Sequence, residues 1–170
     1  MIEDVYENSS TWAELPHKFE AGTPAIAEAI GLAEALKYLK NIGINNINKY
    51  EKILTKHLFK KLNQIKDLNI IGPGPNIDIN RASLATFHIK GIHSNDIAEI
   101  LDSKGICIRS GHHCCQPLHR HLGINSTARV SMNFTTTKEE IDTFIEKLEE
   151  TIDFLKFNSY PASIIMGDSG

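Results

Sequence analysis

The sequence predicts an α+β fold in which a small sheet is covered by helices on one face. Two observations support this prediction. Apolar residues recur at helical spacing up to about Lys66, and from Leu68 onward they form short runs typical of strands, with helical stretches between them. The resulting order is two helices, two strands, a helix, two more strands and a final helix.

The N-terminal part is predicted to contain a short strand and two long helices. The start of the chain is irregular apart from a strand at Ile2–Tyr6. Thr23 is a good N-cap and Pro24 suits the first helical position, so a helix is expected to begin there and to end at Gly43. A second helix is expected over Asn46–Lys66, with lysines on its polar side.

The rest of the chain is predicted to alternate between strands and helices. Strands are expected at Leu68–Ile71, Leu84–Ile89, Ile106–Arg109 and Ala128–Phe134, and helices from Ser94 to Gly105, over Pro117–Leu122 and after a capping box at Thr137–Glu140. The Gly-Pro-Gly-Pro run after the first strand is interpreted as a turn, because no Lys-Ser/Thr and no helix start follow it.

One loop concentrates residues that can do chemistry. The stretch Arg-Ser-Gly-His-His-Cys-Cys-Gln-Pro-Leu, which begins at Arg109, follows a predicted strand and places Cys114 among turn residues. The imidazoles of His112 and His113 and the guanidinium of Arg109 would favour the thiolate over the thiol. The thiolate is the nucleophilic form, so this loop is a candidate catalytic site.

Two further features can bind anions. Arg129 lies on a predicted strand, and an arginine on a rigid element can hold a carboxylate at two points. Gly22-Thr23-Pro24 opens a predicted helix, whose free N–H groups suit a phosphate. Each feature alone also has an ordinary structural explanation, a surface ion pair for Arg129 and a simple helix cap for Thr23.

Composition excludes several classes of protein. The chain has 170 residues, 41% of them hydrophobic, which suits one globular domain with a core. A net charge of −3 is a poor match to non-specific nucleic-acid binding. No apolar stretch approaches the length of a membrane span, and the start of the chain lacks the pattern of a secretory signal.

The cysteines are expected to be free thiols. The chain has three, Cys107, Cys114 and Cys115, and adjacent Cα atoms about 3.8 Å apart are too close for an unstrained disulfide. A reducing, cytoplasmic location is therefore expected. Cys107 lies between two isoleucines and is expected to be a buried, small apolar residue.

A zinc site is the main competing interpretation of the cysteine loop. Candidate ligands are His112, His113, Cys114, Cys115, His119 and His121. The usual paired spacing of cysteines is absent, and neighbouring residues of an extended loop point apart. No metal site is therefore predicted.

The motifs of this chain resemble a known enzyme family. Arg-Ser-Gly-His-His-Cys from Arg109, Gln-Pro-Leu from Gln116, Thr-Ala-Arg ending at Arg129 and Thr-Lys-Glu-Glu from Thr137 resemble the C-terminal region of Suf-type (group II) cysteine desulfurases. These are pyridoxal 5'-phosphate enzymes of the class V aminotransferase type. Phe-Glu-Ala-Gly-Thr-Pro, residues 19–24, resembles a second family motif in the correct order, and the similarity runs to about Phe157.

The resemblance implies a domain organisation. Residues 25–158 would be the small C-terminal α+β domain of a fold-type I transferase dependent on pyridoxal phosphate, with the active-site cysteine loop. Residues 1–24 would be the end of a large cofactor domain that is otherwise missing, and residues 159–170 a flexible tail.

The resemblance also implies roles for residues in the cysteine loop and on the following strand. Cys114 would be the nucleophile that takes sulfur from L-cysteine, releases L-alanine and carries the sulfur as a persulfide. Arg129 would hold the substrate carboxylate, with Arg109 beside it, and His112 and His113 could support the thiol. The sulfur would supply iron–sulfur cluster assembly through a SufE- or SufU-like acceptor protein.

Gly22 and Thr23 correspond to a family loop that reaches the cofactor phosphate of the other subunit in a homodimer. The family's Schiff-base lysine would lie before the position of Met1, and no lysine here stands in a Ser-x-His-Lys setting. The chain by itself is therefore expected to be inactive.

The sequence departs from the family pattern at two further places. Cys115 stands where the family has a small residue without a thiol, and the favoured interpretation is that it fills space rather than sharing the persulfide. Thr135-Thr136 replace a typical Tyr-Asn. Selenocysteine lyase and cysteine-sulfinate desulfinase share the motifs and remain alternatives, as does a non-catalytic, thiol-bearing fragment that docks an acceptor.

Overall fold

The computed structural model of the protein describes residues 1–75 and 81–159. It divides into two compact units, Met1–Ile44 and Asn45–Gly170. The predicted domain limits stay a prediction, and residues 160–170 of the predicted tail lie outside the described residues.

The first unit begins with a small antiparallel hairpin. Strand β1 (Ile2–Val5), which was predicted, pairs with β2 (Ser10–Trp12), which was not. The connecting turn closes through the N–H of Tyr6, which donates to the carbonyl oxygen of Ser9 at 2.8 Å. Strand β2 has only three residues, too few to show apolar alternation, so the sequence alone gave no signal for it.

Helix α1 (Ile26–Ile42) completes the first unit, and its predicted start was wrong. The N-cap is Ala25, without any side-chain cap, because the N–H of Ile26 already donates to the carbonyl oxygen of Pro24 in a tight turn. The predicted end is confirmed: Gly43 has φ 91°, and its N–H donates to the carbonyl oxygen of Leu39. Helix α1 buries none of its residues in the structure as described.

The second unit contains the remaining helices and strands. These are α2 (Ile44–Leu62), β3 (Leu68–Ile71), β4 (Leu84–Ile89), α3 (Ser94–Ser103), β5 (Arg109–Gly111), α4 (Gln116–Leu122), β6 (Thr127–Ser131) and α5 (Lys138–Ser159). None of the helices in residues 1–75 and 81–159 has the length and apolar character of a membrane span.

Several predicted boundaries shift for local reasons. The strand predicted at Ile106–Arg109 begins only at Arg109, because the N–H of Ile106 still bonds to the end of α3 at Leu101. The helix predicted from Ser94 is capped one residue earlier, by His93, whose Nδ1 accepts from the N–H of Asn95. Helix α2 ends at Leu62 rather than Lys66, and β6 ends at Ser131 rather than at Phe134.

The four strands of the second unit form an antiparallel sheet in the order β3-β4-β6-β5. Alternate residues of β4 are buried, and Ala85, Phe87 and Ile89 are at most 3% exposed. They join one core cluster with residues of α2, α3 and α5, such as Leu58 and Leu101. The predicted α+β fold, a small sheet with helices on one face, is therefore confirmed.

The last helix starts at the predicted capping box. The N–H of Thr137 donates to Oε2 of Glu140 at 2.8 Å, and the N–H of Glu140 donates to Oγ1 of Thr137 at 3.1 Å. Two N–H groups that the helix cannot pair internally are thereby satisfied. This fixes where α5 begins, and α5 then packs against α3 through the shared core.

Candidate active site

Cys114 lies on a tight turn between β5 and α4, and it is exposed. Both Cys114 and the preceding His113 have positive φ, 61° and 51°. Residues other than glycine occupy this region only at a cost in free energy, which surrounding contacts must offset. The turn therefore presents the thiol in a constrained conformation.

The group in contact with the thiol is a guanidinium. Nη2 of Arg109 donates to Sγ of Cys114 at 3.7 Å, a distance suited to sulfur. Arg109 is the first residue of β5, so a strand holds the cation while the turn brings the thiol back to it. This arrangement places a permanent positive charge beside the sulfur.

A second arginine lies next to the first. Arg109 and Arg129 are directly paired across β5 and β6, so their side chains leave the same face of the sheet. Ala128 alternates with Arg129 and belongs to the core, so that face is the one opposite α2, α3 and α5. Nε of Arg129 is buried without a hydrogen bond to a described residue.

His113 is held in its neutral form. Burial lowers the pKa of its imidazole most, and the charges of Arg129, Arg109 and His119 lower it further. The Thr127 backbone raises the pKa of His113. It does not form a hydrogen bond with the ring, however, and both ring nitrogens are unpaired among the described residues. His113 therefore adds no positive charge at neutral pH, which corrects the expectation that both imidazoles favour the thiolate.

His112 is exposed and packs its ring edge-on against His119, with 5.4 Å between the ring centroids. Its carbonyl oxygen accepts from the N–H of Cys115 at 2.9 Å and from the Cys115 thiol at 3.0 Å. The structure thus gives the His112 backbone a role in closing the turn. No hydrogen bond joins the His112 ring to Cys114 in the described part of the chain.

His119 was not expected to belong to the active site, although it was considered as a zinc ligand. It is 4% exposed, and its two ring nitrogens contact the Cys115 carbonyl oxygen at 3.2 Å and the Thr127 hydroxyl at 3.1 Å. The available signal was its spacing from Cys115, since residues four apart on a helix lie on one face.

Cys107 differs from its prediction. It is exposed rather than buried, and its thiol donates to Oδ1 of Asp102 at 3.5 Å. This hydrogen bond and the charge of Asp102 raise the pKa of the Cys107 thiol. The short strand begins after Cys107, so the two flanking isoleucines turn inward while the thiol faces solvent.

An open cavity of about 360 Å³ lies beside the turn. Its lining consists of histidines, an arginine, amides and an isoleucine: His93, His112, Gln116, His119, Arg120, Ile124 and Asn125. Across residues 1–75 and 81–159, no three His, Cys, Asp or Glu side chains are arranged to hold a metal ion. The zinc interpretation therefore has no support from this geometry.

The two residues expected to contact a cofactor phosphate belong to the first unit. Gly22 has φ 73°, and a Cβ built there would meet nothing within 4 Å. Thr23 is exposed, and its hydroxyl makes no hydrogen bond to another described residue. The other predicted site residues, Arg109, Cys114 and Arg129, lie together in the second unit.

Comparison with known proteins gives a consistent result. The family model for aminotransferase class-V matches residues 1–144. A Synechocystis protein named "Probable cysteine desulfurase" is 49% identical over 160 residues, which are 94% of this chain and 38% of that protein. A protein of the same name from Staphylococcus epidermidis is 45% identical over 157 residues, 92% of this chain and 37% of that protein.

Solved structures agree with the sequences. The apo structure of the cysteine desulfurase from Thermococcus onnurineus matches with a TM-score of 0.76 and 38% identity, over 90% of this chain and 38% of that one. The cysteine desulfurase CsdA of Escherichia coli, in an S-sulfonic acid form, matches with a TM-score of 0.76 and 28% identity, over 91% of this chain and 37% of that one. The resemblance to cysteine desulfurases is thereby confirmed, and the chain spans less than half the length of these relatives.

Proposed function

Since this chain belongs to the aminotransferase class-V family, we propose that it is the C-terminal part of a cysteine desulfurase in which Cys114 accepts the sulfur of L-cysteine. One observation supports this most directly: the exposed Cys114 thiol contacts Arg109, whose strand partner is Arg129. A nucleophile and a binding site for a carboxylate are thus next to each other.

The turn geometry suits sulfur transfer. Attack on a substrate sulfur requires an accessible thiolate, and Cys114 is exposed with a guanidinium N–H directed at Sγ. In the proposed step a sulfur–sulfur bond forms to Cys114 while the carbon–sulfur bond of the substrate breaks. The electron pair stays with the carbon skeleton, which takes up a proton and leaves as L-alanine, so no external oxidant is needed.

Arg129 is the proposed site for the substrate carboxylate. Its strand, β6, is hydrogen-bonded to β4 on one side and to β5 on the other, so the backbone of Arg129 is fixed. Its buried Nε has no partner among the described residues, and a guanidinium can bind a carboxylate through two parallel hydrogen bonds. Arg109 beside it strengthens the local positive charge, while the neutral His113 adds none.

The residues of the first unit fit a phosphate. The Thr23 hydroxyl is unused, and no side chain caps the N–H groups that open α1. Gly22 and Thr23 are therefore proposed to contact the phosphate of pyridoxal 5'-phosphate bound by the other subunit of a homodimer. When bound, that cofactor supplies the electron sink that weakens the substrate carbon–sulfur bond.

A SufE- or SufU-like protein would accept the persulfide sulfur from Cys114 and pass it to iron–sulfur cluster assembly. Free thiols suit a reducing compartment, so a cytoplasmic location is part of the proposal. Selenocysteine and cysteine sulfinate are the alternative substrates. Comparing the rates of alanine release from L-cysteine, selenocysteine and cysteine sulfinate decides between them.

The decisive experiment uses a completed enzyme, in which this chain replaces the matching 160 residues of the Synechocystis relative. We expect it to release alanine from L-cysteine, and we expect Cys114→Ser to lose this activity by several orders of magnitude. Cys107→Ser is the matched control and should keep the rate, because its thiol is exposed elsewhere. An undiminished rate in Cys114→Ser would disprove the proposal.

The chain by itself should be inactive, because no lysine stands in the family's Ser-x-His-Lys setting. Adding pyridoxal phosphate to the purified chain should produce neither the visible absorbance of a lysine-bound cofactor nor alanine from L-cysteine. Appearance of both would show that this expectation is wrong.

A non-catalytic role is the second candidate, and the lack of a lysine in the family's Ser-x-His-Lys setting favours it. In that case the chain would bind a SufE-like acceptor as tightly as the completed enzyme does. Much weaker binding by the chain alone would argue against this candidate.

A further inference from the structure

The conformation of the cysteine turn is not explained by the contacts of Cys114 itself. His113 and Cys114 are successive non-glycine residues with positive φ, which neighbouring contacts must compensate. Yet Cys114 is exposed, and its side-chain contact in the described structure is with Arg109. The contacts that hold the turn must therefore come from adjacent residues.

The C-terminal end of the turn is fixed at Cys115. Its N–H and its thiol both donate to the carbonyl oxygen of His112, at 2.9 Å and 3.0 Å. Its own carbonyl oxygen accepts from Nδ1 of His119 at 3.2 Å and from the N–H groups of Leu118 and His119. Cys115 thus joins the turn to the start of α4, and one of its bonds comes from a buried side chain.

The same histidine reaches the sheet. Nε2 of His119 lies 3.1 Å from Oγ1 of Thr127, and the two residues are 4% and 1% exposed. Because a carbonyl oxygen only accepts, Nδ1 carries the proton, and in the neutral ring the Thr127 hydroxyl donates to Nε2. Thr127 and Arg129 alternate onto the same face of β6. One side chain therefore links the cysteine turn to the strand that presents Arg129.

We propose that His119 is a positioning residue, which sets the place of the Cys114 thiol relative to Arg129 by holding Cys115 and Thr127 together. Its catalytic consequence rests on the proposed function, whereas the hydrogen-bonded link is a property of the chain itself. Sulfur transfer requires the thiol to reach a substrate that is held at Arg129, and a misplacement of about 1 Å can cost roughly a hundredfold in rate.

The link is tested first in the 170-residue chain by amide hydrogen exchange at Cys115. Thr127→Val keeps the shape of the side chain but removes the hydroxyl, and Thr127→Ser keeps the hydroxyl. We expect faster exchange at Cys115 in Thr127→Val and in His119→Leu, and unchanged exchange in Thr127→Ser. His121→Leu, an exposed position on the same helix, is the control.

The positioning role is tested in the completed enzyme with the two threonine variants, which avoid emptying the buried site of His119. Thr127→Val should lower kcat roughly a hundredfold with little change in KM for L-cysteine, because Arg129 remains in place. Thr127→Ser should restore kcat. A purely structural role would lower the stability of both variants without this separation of kcat from KM.

Each outcome decides one claim. Equal Cys115 exchange in Thr127→Val and Thr127→Ser would overturn the link, and faster exchange with an unchanged kcat would overturn the positioning role. If the unsubstituted enzyme releases no alanine, the proposed function fails, while the exchange experiment still decides whether His119 holds the turn.

Discussion

Arg109 and Arg129 lie directly opposite each other on β5 and β6, on the face of the sheet that points away from α2, α3 and α5. Two like charges in this relationship destabilise a sheet. Nη2 of Arg109 donates to the sulfur of Cys114 at 3.7 Å, and Nε of Arg129 has no protein partner among the described residues. The pair is therefore suited to two negative groups, a thiolate and a carboxylate.

Replacing Arg109 should slow the reaction of the Cys114 thiol. Arg109→Gln removes the charge beside Sγ, so we expect several-fold slower alkylation of Cys114 by iodoacetamide at neutral pH, measured by mass spectrometry of the chain. Arg109→Lys keeps the charge without the planar fork and should be intermediate. Arg120→Gln, an exposed position on α4, is the control. Equal rates in all variants would show that the contact does not govern this thiol.

Replacing Asp102 should speed the reaction of Cys107. The hydrogen bond to Asp102, followed by its charge, raises the pKa of the Cys107 thiol. Asp102→Asn removes the charge, so more thiolate is present at mildly alkaline pH and alkylation of Cys107 should be faster. Asp96→Asn, in the first turn of the same helix, should leave the rate unchanged. A slower rate in Asp102→Asn would reverse the assigned direction.

Glu150 should make stability depend on pH. Hydrogen bonds from Lys104 and Lys147 lower the pKa of its carboxyl from 4.5 to about 2. Its contribution is therefore present above pH 4.5 and is lost as the pH falls towards 2. The effect should be small and reduced by salt, because the pairs are exposed.

The measurement is urea unfolding of the chain and of Glu150→Gln between pH 7 and pH 2.5, at low and high salt. We expect the stability of the two proteins to differ near neutrality and to converge in acid. Glu149→Gln removes a neighbouring exposed carboxyl that forms no ion pair with a described residue, and it serves as the control. A difference that persists in acid would contradict the electrostatic origin.

Shortening Leu101 should destabilise the second unit strongly. Leu101 is 0% exposed in the core cluster, so Leu101→Ala should cost about 2–5 kcal/mol of the free energy of unfolding. Leu118→Ala, at a side chain that is 49% exposed, should change stability by less than about 0.5 kcal/mol. Urea denaturation followed by circular dichroism measures both values. Similar small losses in the two variants would contradict the assigned core.

The predictions from sequence that were confirmed depend on local rules. The capping box at Thr137 and Glu140 and the stop at Gly43 involve groups within a few residues of each other. The strand predicted at Leu84–Ile89 needs only a period of two with one buried face. The cap assigned to Thr23 failed because a tight turn at Pro24 shifted the helix start.

The sequence by itself determined the fold class, the family motifs and the place of Cys114 on a turn, because each depends on residue types at short spacing. Only the tertiary structure decided that Arg109 and Arg129 face each other, that His113 is neutral, that Cys107 is exposed and that His119 links the turn to Thr127. These relationships depend on strand register and burial. Both are set by contacts between residues far apart in the chain, which spacing does not reveal.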